Sequence, residues 1–247
     1  MRASTGIEPT RREIAADDRV GAAKIYATEG SEQVIRRVPA SAVRILDLGC
    51  GTGETARLLT ARGKIVDGVT LSPREAEQAR PHCRAVYAHD LEFGLPKLSP
   101  EPYDTVICSH VLEHICYPRA LFRDIHAHLA PSGVLIVALP NLLVWKSRLS
   151  LLMGRFEYAE SGLMDDGHFR WYSFASGRRL LERHGFVVTE ASVDGGLPLG
   201  RLRRHLPKAA YGWADRIACR LAPGLFGVQL LYVARGAEFK LDHKLFV

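Results

Sequence analysis

The sequence is poor in the features that define several classes of protein. No uninterrupted apolar run approaches the roughly 20 residues that a membrane-spanning helix requires. The opening Met1-Arg-Ala-Ser-Thr-Gly6 has no hydrophobic leader segment, so a cytoplasmic location is expected. The five cysteines, at positions 50, 83, 108, 116 and 219, form no C-x-x-C pair. Their odd number and scattered spacing exclude a disulfide framework and a zinc knot, and predict reduced thiols. Internal repeats and low-complexity tracts are absent. Acidic residues are scarce in one place: residues 201–220 carry Arg201, Arg203, Arg204, Lys208, Arg216 and Arg220 against Asp215 alone. Most of the formal net charge of +6 therefore sits in that segment. A charge so localised predicts one anion-facing surface, not a chain coated for nucleic acid, and a nucleic-acid partner is not expected.

The remaining composition is that of a globular chain. With 247 residues, 47% of them hydrophobic, there is material for one α/β domain and appended segments. Residues 1–40 contain no strong strand pattern and predict a helical N-terminal cap with Ile25, Tyr26, Val34 and Ile35 as anchors. A strand–helix alternation follows. Strands are expected at Val43–Leu48, Ile65–Leu71, Arg84–Ala88, Thr105–Cys108, Val134–Leu139, Phe186–Val193 and Val228–Ala234. Helices are expected at Glu54–Ala61, Pro73–Ala79, Pro118–Leu129 and Phe174–His184. Ser72-Pro73 supplies an N-cap followed by proline at the first helical position, and Pro131-Ser-Gly133 reads as the turn before the fifth strand. The alternation predicts an α/β fold with a doubly wound, mostly parallel seven-stranded sheet and right-handed crossovers.

Residues 141–172 and 195–227 break the alternation and read as lid-like inserts in a domain spanning 41–247. In the second insert, Pro207 opens a helix on which Ala210, Trp213, Ala214, Ile217 and Leu221 share a face. Such a stripe ordinarily packs into the core. The alternative is a lid or membrane-surface helix that meets anionic groups through its arginines.

The densest motif is Asp47-Leu-Gly49-Cys-Gly51-Thr-Gly53, an apolar strand running into three alternate glycines and then a helix. That arrangement directs backbone N–H groups and a positive helix end at the carboxyl edge of a sheet. The full string resembles motif I of class I S-adenosylmethionine (SAM) methyltransferases. It is less like a dinucleotide loop, because Glu54 stands where the last glycine of that loop would be. The resemblance implies SAM as cofactor and a final strand running antiparallel. It implies that Asp47, Gly49, Gly51 and Gly53 cradle the methionine half of SAM, with Asp90 on the adenine amino group and Leu91 against the ring. The family usually has an acid at the end of the second strand to grip the ribose hydroxyls; Thr70 occupies that place here. Strand alternation turns the nearby Asp67 to the other face.

A second cluster is Ser109-His110-Val-Leu-Glu113-His114, similar to the S-x-V-L-E-H segment of ubiquinone-biosynthesis O-methyltransferases. The i, i+3, i+4 spacing puts His110, Glu113 and His114 on one face of a helical turn. Downstream, Pro140-Asn141, Trp145, Arg148, Gly154-Arg-Phe156 and Asp165-Asp-Gly-His168-Phe-Arg-Trp-Tyr172 follow in an order that resembles MetW-like proteins and sugar or glycan methyltransferases. Small-RNA 3′-end methyltransferases bind a divalent metal with a similar E-x-x-E-H and a later histidine, which implies a metal at His110, Glu113, His114 and His168. Histidine in place of the first acid would favour Mn, Fe, Co or Zn over Mg. Without metal, His114, His168 or His110 would serve as general base.

The expectation is a SAM-dependent O-methyltransferase acting on a hydroxyl of a sugar or glycan, either free or linked to a lipid or phosphate. The alternatives are an RNA 3′-end ribose 2′-O-methyltransferase and a non-catalytic partner protein with the same fold.

Overall fold

The computed structural model describes residues 32–160 and 162–237. The expected helical cap lies largely outside this span, together with Ile25 and Tyr26. Its described end is a single turn, α1 (Glu32–Ile35), with Val34 and Ile35 buried. The chain then continues β1 (Arg44–Leu48), α2 (Glu54–Thr60), β2 (Ile65–Thr70), α3 (Pro73–Ala79), β3 (Ala85–Ala88), β4 (Tyr103–Ser109), α4 (Arg119–His128) and β5 (Leu129–Pro140). It ends with α5 (Trp145–Leu152), α6 (Phe174–Arg183), β6 (Phe186–Gly195), α7 (Lys208–Leu221), α8 (Pro223–Phe226) and β7 (Gly227–Gly236).

The seven strands form one sheet in the order β3-β2-β1-β4-β5-β7-β6. Pairs from β3 through β5 are parallel, and β7 runs antiparallel between β5 and β6. The central strands read as near-continuous apolar runs because both sheet faces are covered. On one face, α4 and α6 bury Leu121, Phe122, Ile125 and Leu181 against β4, β5 and β7. On the other, Val34, Ile35, Ala56 and Leu59 pack on Ile45, Val66, Ile107 and Ile136.

The strand order reverses beside β1, so the carboxyl ends of β1 and β4 flank the crevice where ligands bind in sheets of this kind. Three local features shape that edge. Ser72 caps α3 by accepting the Glu75 amide, with Pro73 at the first helical position. Ser173 and Ser176 form a reciprocal capping box that starts α6. Gly49 has φ +71°, and a Cβ there would overlap the Val111 side chain, so glycine alone lets the β1 loop and the segment after β4 close on each other.

Two boundaries differ from expectation. Pro131-Ser-Gly133 does not precede β5 but loops out within it, between the pairs Tyr103–Leu129 and Thr105–Val134. Strand pairing with β4 resumes on both sides of the bulge, so the turn chemistry is present without ending the strand. In the second insert, the predicted apolar stripe does not enter the core. The buried residues of α7 are Asp215 and Ala218, while Trp213, Ile217 and Leu221 are exposed.

Candidate active site

The β1 carboxyl end delivers Asp47, which is 3% exposed and has one side-chain oxygen, Oδ2, without a hydrogen-bond partner. Burial pushes its carboxyl up to about 7, since desolvation penalises the ionised form. Gly49 and Cys50 follow, both donating their amides to the Val69 carbonyl, which pins the loop to β2. Gly53, at φ +86°, closes it; a Cβ there would press on the Ala79 backbone.

The second strand ends in Thr70, whose hydroxyl donates to Glu75 Oε2 at 2.6 Å. Both residues are buried. Glu75 lies in the first turn of α3, where the aligned peptide dipoles favour a carboxylate. Its position next to Thr70 escaped the sequence reading, because the family pattern looks for the acid at the strand end and not five residues later on the helix. Asp67 is directed elsewhere, as strand alternation requires: it accepts from Arg84 Nε at 2.9 Å and from the Tyr103 hydroxyl at 2.7 Å. Asp90 caps the turn at Leu91–Phe93 by accepting the Glu92 amide, and Leu91 is buried. Glu92, also unforeseen, accepts from the Cys116 and Tyr117 amides and so holds the segment after β4.

That segment carries the second cluster. The 3-10 turn Leu112–His114 presents Glu113, fully buried, with Oε2 unpartnered. Glu113 also accepts the Phe169 and Arg170 amides at its backbone carbonyl, and Arg170 returns to the Cys116 carbonyl. These contacts bring the end of the first insert over the turn. As a result the ligand-type atoms of Glu113, His114 and His168 lie within 4.8 Å of one another, and the two imidazoles meet edge to face at 4.7 Å.

His114 Nδ1 lies 2.9 Å from the Gly167 carbonyl, and His168 Nδ1 lies 3.1 Å from that of Leu163. A carbonyl can only accept, so each Nδ1 is assigned as the donor. Burial holds the His168 imidazole below its ordinary range, in the neutral form.

His110 stands apart from this trio. Its φ of +56° is rare for a residue with a Cβ. Nδ1 reaches Glu113 Oε1 at 3.2 Å, while Nε2 sits 2.7 Å from the Gln229 amide nitrogen. With Gln229 donating, Nδ1 carries the proton to the carboxylate, and both ring nitrogens are engaged. The expected group of four is a group of three, with His110 bracing Glu113 from the side.

The donor set of one buried carboxylate and two imidazoles, each oriented by a carbonyl behind it, has the chemistry that borderline divalent metals take. The unpartnered Glu113 Oε2 is the atom such an ion would satisfy. On the cofactor side, the unpartnered Asp47 oxygen and the buried Thr70–Glu75 pair fit a ligand with a cationic head and a polyhydroxylated middle. The two sites adjoin: Val111 packs on Gly49, and the Cys108 thiol between them is pushed up by burial first and then by the charges of Glu113 and Asp47.

Known proteins resemble this chain in family and in fold. A methyltransferase-domain family matches residues 10–191. The chain belongs to that family. It is 34% identical over 116 residues to a ubiquinone biosynthesis O-methyltransferase of Xylella fastidiosa, covering 44% of this chain and 47% of that one. It is 28% identical over 107 residues to the enzyme of the same name from Haemophilus ducreyi, covering 40% and 45%. The chain thus matches about half the length of these curated relatives. Among solved structures it resembles a SAM-dependent methyltransferase from Archaeoglobus fulgidus, with a TM-score of 0.59, 19% identity, and coverage of 91% and 94%. It also resembles one from Mesorhizobium loti, with a TM-score of 0.56, 20% identity, and coverage of 86% and 100%. At those identities the likeness is one of fold. It places this family member, as expected, in the class I SAM-dependent methyltransferase fold, with the antiparallel strand where the resemblance put it.

Proposed function

We propose that the chain transfers a methyl group from SAM to a hydroxyl oxygen of a sugar or glycan, with Glu113, His114 and His168 preparing the hydroxyl. The observation that carries this reading is the convergence of those three groups beside the glycine loop. SAM, when bound, would supply an electrophilic methyl on a sulfonium, with the S–C bond breaking as the O–C bond forms. A sugar hydroxyl is a weak nucleophile at neutral pH, so its proton must leave as the new bond forms. His168 Nε2, neutral through burial, is suited to accept that proton, and His114 Nε2 faces the same space. A divalent metal held by Glu113, His114 and His168 would lower the hydroxyl pKa and do the same work.

Asp47 and the loop through Gly49, Gly51 and Gly53 would hold the methionine end. Thr70 and Glu75 would hold the ribose, and Asp90 with Leu91 the adenine. The names of the curated relatives support a second acceptor class, the phenolic hydroxyl of a quinone precursor. For that substrate less activation is needed, because a phenol ionises near pH 10.

The test is methyl transfer from radiolabelled SAM to a panel of free sugars, lipid-linked glycans and catechols, with and without a chelator. Label in the sugars supports the first reading, label only in the catechols the second, and label in neither, with SAH binding intact, removes both. His168→Ala should lower kcat by roughly 10²–10⁴-fold, the range for removing a general acid–base group, with SAH affinity unchanged. Activity lost in chelator and restored by Mn or Co assigns the cluster to a metal. Full activity in chelator leaves it to His168 as base.

A further inference from the structure

The face of α7 that points away from the protein is apolar at its centre. Trp213 is 62% exposed, Ile217 37% and Leu221 80%. They recur at i, i+4 and i+8 and so form a single ridge. The opposite face of the helix is anchored by buried Asp215, which accepts from the Leu197 amide at 2.8 Å and from Arg203 at 3.0 Å, and by buried Ala218. The ridge is therefore not core that failed to pack. The helix is held firmly by its polar side, with its apolar side presented to solvent.

The flanks carry charge of one sign. Arg216 and Arg220 run beside the ridge, with Arg204 and Lys208 at its entrance, all exposed. Among the described residues none of these four is paired with a carboxylate. Arg203 is the exception in the segment, being drawn inward to Asp215. The first insert adds to the same surface. No residue of α5 is buried, its end at Leu152 is 85% exposed, and Arg148 reaches the Gly224 carbonyl of α8 beside the end of α7. Both inserts leave the sheet at the carboxyl edge that holds the glycine loop and the Glu113 turn.

We infer that this face is a docking surface for an anionic lipid bilayer, with Trp213, Ile217 and Leu221 entering the interface and the cations meeting phosphate headgroups. A bilayer accepts both halves of the surface together, since an amphipathic helix lies flat with its apolar ridge between acyl chains and its basic flanks among headgroups. A second copy of the chain fits less well. A two-fold interface would set the rows of Arg216 and Arg220 against their own equivalents with no acid between them. Docked in this way, the carboxyl edge of the sheet faces the membrane, and an acceptor carried by a lipid would reach the site without leaving the bilayer. The inference does not depend on which hydroxyl is methylated.

The test is flotation of the full chain with phosphatidylcholine vesicles and with vesicles containing phosphatidylglycerol. The protein should float with the anionic vesicles and remain below with the neutral ones. Trp213→Ser with Leu221→Ser, and separately Arg216→Glu with Arg220→Glu, should each cut partitioning by roughly tenfold or more, with the melting temperature unchanged because all four positions are exposed. A blue shift of tryptophan emission on adding vesicles should disappear in Trp213→Phe. Three results overturn the inference. One is wild-type protein that stays unbound at low salt. Another is binding lost in the charge variant but untouched in the Trp213/Leu221 variant, which is bare electrostatic adsorption. The last is a dimer in sedimentation that the Trp213/Leu221 variant converts to monomer, which assigns the ridge to self-association.

Discussion

Thr70 stands where the family resemblance expects an acid, and the partner of its hydroxyl is itself an acid, Glu75. A threonine hydroxyl cannot form the two-pronged, charged grip of a carboxylate. A carboxylate stands beside it, that of Glu75 in the first turn of α3, and Thr70 donates to it. If this pair holds the ribose, Glu75→Gln should weaken SAH binding by about 1.5–3 kcal/mol, the range for hydrogen bonds to charged groups. It should also erase the preference for SAH over its 2′-deoxy analogue in calorimetry. Adding Thr70→Asp should restore that preference. Intact discrimination in Glu75→Gln, with wild-type SAH binding normal, would mean that the acid merely braces α3.

Asp47 carries a pH signature. Its folded pKa of about 7 lies above the ordinary value of 3.8, so the native state holds this proton more tightly than the unfolded chain does. Its contribution to stability is full below about pH 4. It falls as pH rises to about 7, by up to about 1.4 kcal/mol per unit, and is flat beyond. In ligand-free protein, Asp47→Asn should flatten that slope in denaturant titrations. A cationic ligand beside the carboxylate reverses the preference, so SAM binding at pH 6 should release a proton, seen as a dependence of the binding enthalpy on the buffer. No release would place the positive end of the ligand away from Asp47.

Among the elements, Asn141 links the two inserts. Fully buried, it donates to the Gly224 and Gly227 carbonyls and accepts the Leu143 amide, while its own backbone pairs with Val228 and Tyr172. The Pro140-Asn141 signal was visible in the sequence, but its task was not, because its partners in the second insert lie more than 80 residues away. Asn141→Ala strands the buried Gly227 carbonyl and takes one of two donors from the half-buried Gly224 carbonyl, and a stability loss of about 1–3 kcal/mol is expected. Limited proteolysis should then cut both inserts together; cleavage confined to residues 141–172 would show that they are uncoupled.

The helix α7 teaches the complementary lesson. Its period was legible from Trp213, Ile217 and Leu221, but period alone fixes which residues share a face, not which face meets the core. That choice was made by Asp215, an acid that enters the interior because Arg203 and the Leu197 amide wait there. The Glu113 cluster divides in the same way. Spacing put His110, Glu113 and His114 on one turn. The departure of His110 came from its left-handed backbone and from Gln229, a residue on the last strand that no local pattern connects to it.

At the scale of the whole molecule, alternation of apolar runs with helix-compatible segments was enough to give the class, since each central strand is buried on both faces and reads as such. The position of β7 was another matter. Antiparallel pairing on both sides of the seventh strand is set by contacts far apart in the chain, and it entered the reading only through family resemblance.

That position has a consequence for how the protein is made. The apolar edges of β5 and β6 are complete once residue 195 has been synthesised, yet they do not pair with each other. Each waits for the strand that fits between them, which ends at Gly236. On the ribosome, the nascent chain therefore carries two open strand edges while more than thirty further residues are translated. Elongation takes a few seconds over such a stretch, at about 5–20 residues per second. In that interval an emerging chain is most at risk of pairing with another, and a chaperone that shields β5 would protect it best.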